Sequence, residues 1–401
     1  MLTPAEAEQL ILAALPRAAQ EDCPIAEAHG RVLRAAVRAD RDLPPFDRST
    51  LDGFALRSAS VSAGGRQFRI QGVQAAGQPP GRLGPAADAC IEIMTGAPLP
   101  AGADAVVPYE ETLREGPRMT VAPALAVAPG HAVHRRASDH RAGETLVSPG
   151  TRLTGREIAV AAACGCAVLS VSCRPGIAIV ATGDELVEVA AAVAPHQIRR
   201  SNDYALRAAL VQSGYSRVER FHLRDDAAEM GPLLHRVLAE YEVVLLTGGV
   251  SRGKFDLIPA ELERQGVRRV FHGVNQRPGK PFWFGMGGLE QPVFALPGNP
   301  VSAYTCLHRY VLPALATAAG LVLPPPRRIA LAAAFTFRPR MTRFLPVALG
   351  DGPDGRRQAA PVPGNTSGDF SGLVGTDGFV ELDPEPEEFP AGWVAPYWPW
   401  A

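Results

Sequence analysis

Apolar positions recur along this chain with two different periods. From about residue 174, GIAIVAT, EVVLLT and VFAL are continuous apolar runs of strand length. NDYALRAALVQSG, AAEMGPLLHRVLAEY, DLIPAELERQG and VSAYTCLHRYVLPALATAAG have the 3.6-residue spacing of amphipathic helices, and SRVERFHL reads as one more strand. Strands with no polar alternation have both faces buried, so this alternation predicts a doubly wound, mostly parallel sheet with helices on either side.

The rest of the chain has a different texture. Residues 1–47 read as helical: Thr3 is an N-cap, Pro4 sits in the first turn, and Glu6 is the acid of a capping box. RQFRIQGV, ADAVVPYEETL and RMTVAPAL predict a small β-rich unit over 48–139. Thr154-Gly-Arg-Glu157 has the pattern of a second capping box opening a helix. PPPRR at 324–328 breaks the α/β pattern. After it RIALAAAFTF, RFLPVAL and GFVEL predict a small all-β C-terminal unit.

Bulk numbers narrow the classes. A chain of 401 residues exceeds one ordinary core, giving about two to four domains. With 46% apolar and 20% charged residues it is globular, and a net charge of −1 argues against nucleic-acid or membrane-surface partners. The longest apolar runs are too short and alanine-rich to cross a bilayer. The N-terminus lacks a basic leader, which leads us to expect a cytoplasmic protein. The six cysteines have no paired metal spacing and read as small buried residues.

Any anion site must therefore be local, and ligands of such sheets bind beyond the carboxyl ends of the strands. Three of those ends are unusual. TGDEL brings Asp184 and Glu185 just after a strand. TGGVSRGKFD offers Gly248, Gly249, Ser251, Gly253, Lys254 and Asp256. LPGNPVSA passes Pro297 and Gly298 into a helix with Asn299 as N-cap, Pro300 in the first turn and Ser302 behind. Singly, each is an ordinary turn or cap. Together they suit a phosphate or oxyanion, because glycines let backbone N–H groups approach and helix N-termini supply unpaired donors. Lys and Arg total 40, yet only Lys254 and Lys280 are lysines, and both lie in these glycine-containing loops. Carboxylates beside such a cradle suit Mg²⁺. The spacing is not that of a Walker A loop.

PPFDRSTLDGFA, IMTGAPLPAGADAVVPYEET, TGDEL, TGGVSRGKFD, RPGKP and LPGNPVSA occur in that order. In this the chain closely resembles, over essentially its whole length, the molybdopterin molybdotransferases (the MoeA family, with the gephyrin E domain). The resemblance implies four domains. These are an elongated, discontinuous helical/β domain (1–47 and 140–173), an inserted β-rich domain (48–139), an adenylyltransferase-like α/β domain that binds molybdopterin (174–322), and a C-terminal β-barrel (323–401). It implies a homodimer with an active site shared between subunits. Pterin adenylyltransferase and apo-molybdoenzymes are implied as further partners. The implied reaction inserts molybdenum from molybdate into adenylylated molybdopterin, releasing AMP with Mg²⁺ assisting.

By resemblance, Asp52 and Thr95 belong to the inserted domain's share of the site, and Asp139 to an acid beside it. Glu185, Asp226 and Asp256 match acids of the α/β domain, with Glu185 and Asp256 as metal ligands. Arg277, Lys280 and Pro281 match the molybdate-side loop, and Ser371 a C-terminal serine near it. Three positions depart from the pattern: Arg277 stands where relatives often have lysine, Lys254 where many have aspartate, and Pro346 where many have an arginine. Arg340 and Arg343 are the candidates to replace that last cation. Other readings are the pterin adenylyltransferase itself, a non-catalytic scaffold, and a tungstate-inserting variant. The first resembles only the α/β domain.

Overall fold

The structure is a computed structural model and describes residues 1–224, 226–250 and 257–400. The chain divides into two compact units: Met1–Arg34, Pro149–Thr154 and Leu169–Ala401 form one, Ala35–Ser148 and Gly155–Val168 the other.

In the first unit, helix Pro4–Ala14 starts with the expected box: Thr3 Oγ1 accepts from the Glu6 amide, and the Glu6 carboxylate accepts from the Thr3 amide. The expectation that 1–47 is helical throughout fails after this element. Leu15 turns extended before Pro16, as a residue preceding proline must, and residues Gln20–Pro24 form a strand paired with Val168–Ser172.

Six strands form the central sheet, in the order Val218–Leu223, Ile177–Thr182, Val243–Thr247, Pro292–Leu296, Trp283–Met286, Arg268–His272. The first four run parallel; Trp283–Met286 is antiparallel to both its neighbours, so Arg268–His272 again runs with the first four. Alternate residues face opposite sides. Ile177, Ile179 and Leu245 pack with Leu206, Leu210 and Leu307, whereas Ala178, Val180 and Leu246 pack with Leu234, Val237 and Leu262. Both faces are dry, which is why the strands carry no polar alternation.

The expected long helix after Asn299 is three consecutive pieces: α-helix Pro300–Cys306, a π-turn Leu307–Val311, and α-helix Leu312–Ala318. Pro313 has no N–H for the carbonyl one turn back, so the ladder must re-register there.

Five strands of the C-terminal region close on themselves: Thr342–Asp351, Arg357–Pro361, Arg327–Leu331, Val394–Pro399 and Gly378–Leu382, the last pairing back to the first. Leu331, Leu345, Val347, Val380 and Leu382 fill this barrel. A two-residue strand, Gln276–Arg277, adds in parallel to its Thr342–Arg343 end.

The second unit is built on a six-stranded sheet in the order Ala105–Pro108, Gly53–Leu56, Ala89–Ile93, Gln67–Gln74, Arg118–Val121, Thr112–Glu115. Phe54, Phe68, Val107 and Met119 are buried on it. The helix Gly155–Ala163 begins just after Thr154.

Candidate active site

The loops leaving strands Ile177–Thr182, Val243–Thr247 and Pro292–Leu296 converge. Gly248 and Gly249 have φ of +98° and +63°, a region that disfavours any residue with a Cβ. A Cβ on Gly248 would stand 2.6 Å from the Thr182 carbonyl oxygen, and one on Gly298 would be 3.4 Å from the Gly248 Cα. Asn202, at the head of helix Asn202–Gln212, ties the loops together by donating to Thr247 Oγ1 (2.9 Å) and to the Gly298 carbonyl (2.7 Å). Sequence reasoning passed over Asn202, although its position directly before a helix facing the sheet edge was a signal. His272 Nε2 donates to the Val250 carbonyl and holds the last described residue of the glycine loop.

Glu185 is exposed on the first of these loops; its carboxylate folds over Gly183, where a Cβ would lie 2.4 Å from Oε2. Asp226 precedes helix Ala227–Glu240, its carbonyl accepting from Glu229 and Met230. Ser251, Lys254 and Asp256 lie outside the described residues. Among the described residues no group of three acidic, histidine or cysteine side chains forms a metal cluster.

Beside the third loop opens a cavity of 580 Å³. Pro297, Asn299 and buried Ser302 line one wall; Arg277, Lys280 and Pro281 line another. Asn299 holds the N-cap position of its helix without capping it; its amide donates instead to Ser367 Oγ, 2.8 Å away. Pro300 takes the first helical position as expected.

The RPGKP loop rests on a buried scaffold. Gln276 is fully buried, donating to the Gly279 carbonyl and to Cys306 Sγ while its own carbonyl accepts from the Tyr310 hydroxyl. Among the described residues four cations line the cavity (Arg277, Lys280, Arg338, Arg343) against one acid, Asp369. That acid is occupied: Ser371 Oγ (2.6 Å) and the Gly372 amide hold its carboxyl below the ordinary range. Ser371 thus serves Asp369, and on that C-terminal segment the serine lining the cavity is Ser367. Arg343 and Pro346 both line it; Arg340 is exposed, 3.8 Å from Glu385.

In the other unit, Asp52 and Thr95 come together across sequence. Asp52 Oδ1 accepts from the Thr95 amide (2.6 Å) and hydroxyl (2.8 Å), and the two bonds hold its carboxyl below the usual range. Asp139 is exposed and bonds His134 Nε2 at 2.9 Å.

Residues 2–165 match the MoeA N-terminal region (domain I and II), 178–317 a probable molybdopterin binding domain, and 328–400 the MoeA C-terminal region (domain IV). A molybdopterin molybdenumtransferase of Synechocystis is 38% identical over 401 residues, covering 100% of both chains. The chain belongs to this family. Molybdopterin molybdenumtransferase 2 of Mycobacterium tuberculosis is 32% identical over 97% of the chain and 98% of its own. The solved molybdopterin biosynthesis MoeA protein of Pyrococcus horikoshii covers 100% of the chain and 99% of its own, with a TM-score of 0.83 at 28% identity. The fold is thus a MoeA-like multidomain α/β fold with a closed five-stranded C-terminal barrel. Membership of the molybdenumtransferase family supports a transferase role in molybdenum cofactor biosynthesis. Among the described residues no helix is long and apolar enough to cross a membrane.

Proposed function

We propose that this chain inserts molybdenum from molybdate into adenylylated molybdopterin, with release of AMP. The observation that carries this reading is the adjacency of two anion sites of different character. One is a glycine-built edge of the sheet; the other is a cavity with four cations and one occupied acid, and the Pro297–Ser302 loop borders both. A pyrophosphate suits the first, since glycines at 248, 249 and 298 carry no side chain to keep phosphate oxygens from the backbone there. A tetrahedral oxyanion suits the second, where Lys280 and Arg277 supply charge, Asn299 and Ser302 supply polar contacts, and Pro281, Pro297 and Pro300 stiffen the walls.

Asp184 and Glu185 are adjacent exposed carboxylates on the first loop, and hard oxygen donors in that number fit Mg²⁺. These acids, with Asp256 as the family resemblance implies, would hold the ion, which would supply neutralising charge to a pyrophosphate. Asp226, just before helix Ala227–Glu240, is a further acid that the resemblance assigns to this domain. Asp52 and Thr95, with Asp139 beside them in sequence class, form the contribution of a second subunit. The Thr95 bonds favour the ionised form of Asp52 and hold its Oδ1 in place.

The test supplies purified protein with adenylylated molybdopterin, Mg²⁺ and molybdate, and follows AMP release and reconstitution of an apo-molybdoenzyme. Absence of AMP release under these conditions refutes the reading. Homodimer sharing is tested by mixing Asp52→Asn and Lys280→Ala proteins. Recovered activity in the mixture supports a shared site, and none argues for a site within one subunit.

A further inference from the structure

Two arginines stand side by side in the cavity, and among the described residues neither has a counter-ion. The strand Gln276–Arg277 pairs in parallel with the barrel, and the register sets Arg277 directly against Arg343. Neighbouring strands lie about 4.8 Å apart, and like charges at directly opposed positions repel. Among the described residues neither side chain has a carboxylate within 4.0 Å, in contrast to buried Arg309, which pairs with Glu8 and Glu381. Arg343 also buries its Nε with no hydrogen-bond partner. Its guanidinium lies 5.5 Å from the centre of the Phe337 ring, a contact that gives the buried Nε no acceptor. Burial and the neighbouring Arg277 push its pKa down to about 10, the mark of a cation whose surroundings lack an anion.

We infer that Arg277 and Arg343 together form an oxyanion clamp, with Arg343 the residue that sets affinity and charge selectivity for a tetrahedral dianion. This deepens the proposed function and rests on it for the identity of the anion. Two guanidinium groups of fixed spacing offer paired N–H donors to a dianion, and their mutual repulsion is relieved only when about two negative charges arrive. A monoanion relieves half of it. The clamp therefore favours molybdate-type dianions over nitrate-type monoanions. Arg343 reaches the cavity from the strand that also carries Pro346, so a cation is present on that wall although position 346 has none.

The experiment measures molybdate binding to the full-length protein by equilibrium dialysis with metal analysis, without pterin present. It compares wild type with Arg343→Gln, Arg277→Gln and the exposed control Arg340→Gln, and repeats the titration against sulfate and nitrate. The expected result is a loss of tenfold or more for Arg343→Gln and Arg277→Gln, none for Arg340→Gln, and competition by sulfate but not nitrate. Ligand-free melting temperature of Arg343→Gln should be unchanged or higher, because the substitution removes one of two repelling charges; this separates lost binding from lost folding. Wild-type affinity in Arg343→Gln, or no molybdate binding by wild type, overturns the clamp. If AMP release proceeds and Arg343→Gln shows unaltered molybdate dependence, the clamp fails and the function stands. If molybdate binds through Arg343 but AMP is never released, the clamp stands and the function fails.

Discussion

Replacing Gly248 by alanine tests the loop convergence directly, because Gly266 provides an internal control. Both have positive φ, +98° and +86°. A methyl group on Gly266 would meet nothing within 4 Å, whereas one on Gly248 would lie 2.6 Å from the Thr182 carbonyl and 2.7 Å from its hydroxyl. Gly266→Ala therefore carries only the left-handed strain, about 1–2 kcal/mol. Gly248→Ala carries the same strain plus overpacking against backbone that has no flexible end to yield, a further ~1–3 kcal/mol. The excess of Gly248→Ala over Gly266→Ala should be read as local stability, since a multidomain chain has no single unfolding free energy. Amide hydrogen exchange of strands Ile177–Thr182 and Val243–Thr247, followed by mass spectrometry, reports it. Each ~1.4 kcal/mol accelerates exchange about tenfold. We expect those strands to exchange roughly tenfold faster in Gly248→Ala than in Gly266→Ala, and AMP release to fall only in the former. Equal exchange in the two variants would refute the claim that these loops are locked by close approach.

His308 is buried against Tyr304 and Trp400, and burial pushes its pKa down to about 4. The unfolded chain therefore binds a proton below about 6.5 that the folded chain refuses, and stability falls between pH 6.5 and 4 by up to about 3 kcal/mol. A melting-temperature profile of His308→Leu should lack that component, and an unchanged slope would count against it. Asp52 has a linkage of the same sign in a lower window: its lowered pKa contributes stability above the ordinary carboxylate pKa of about 3.9, lost as pH falls through the folded value. Asp52→Asn should thus lose less melting temperature in acid than wild type. Lys280→Ala should raise the molybdate concentration needed for half-maximal AMP release about tenfold or more, and an unaltered requirement would remove Lys280 from the site. Asp256→Ala should slow AMP release at saturating molybdate, whereas full turnover would assign the phosphate or metal role elsewhere.

Much of the sheet was legible because its strands announce burial on both faces: Ile177 through Thr182 has no polar residue until its end, and period alone identifies it. Trp283–Met286 and Arg268–His272 were missed because prolines and glycines of the intervening RPGKP loop look like punctuation, while antiparallel pairing at the sheet edge depends on partners remote in sequence. The capping box at Thr3 and Glu6 was legible since it is a contact three residues long. The Asn299 side chain was read as a cap, but a tertiary partner, Ser367, competes for it, and no local pattern reports such a bond. The same limit applies to Arg343, whose importance comes from register with Arg277 rather than from its neighbours in the chain.

The RPGKP loop is hydrogen-bonded into the barrel's own ladder, the Thr342 amide donates to the Asn275 carbonyl, and on the facing wall the Val301 amide donates to the Ser367 carbonyl. Both sides of the cavity mouth are thus stitched by backbone, and swinging the barrel away would break main-chain bonds on each side. Its ligand must enter through an aperture of set width. If the cavity takes the oxyanion proposed above, discrimination is by sieve and charge rather than by closure, and occupancy should follow anion concentration without a slow conformational phase.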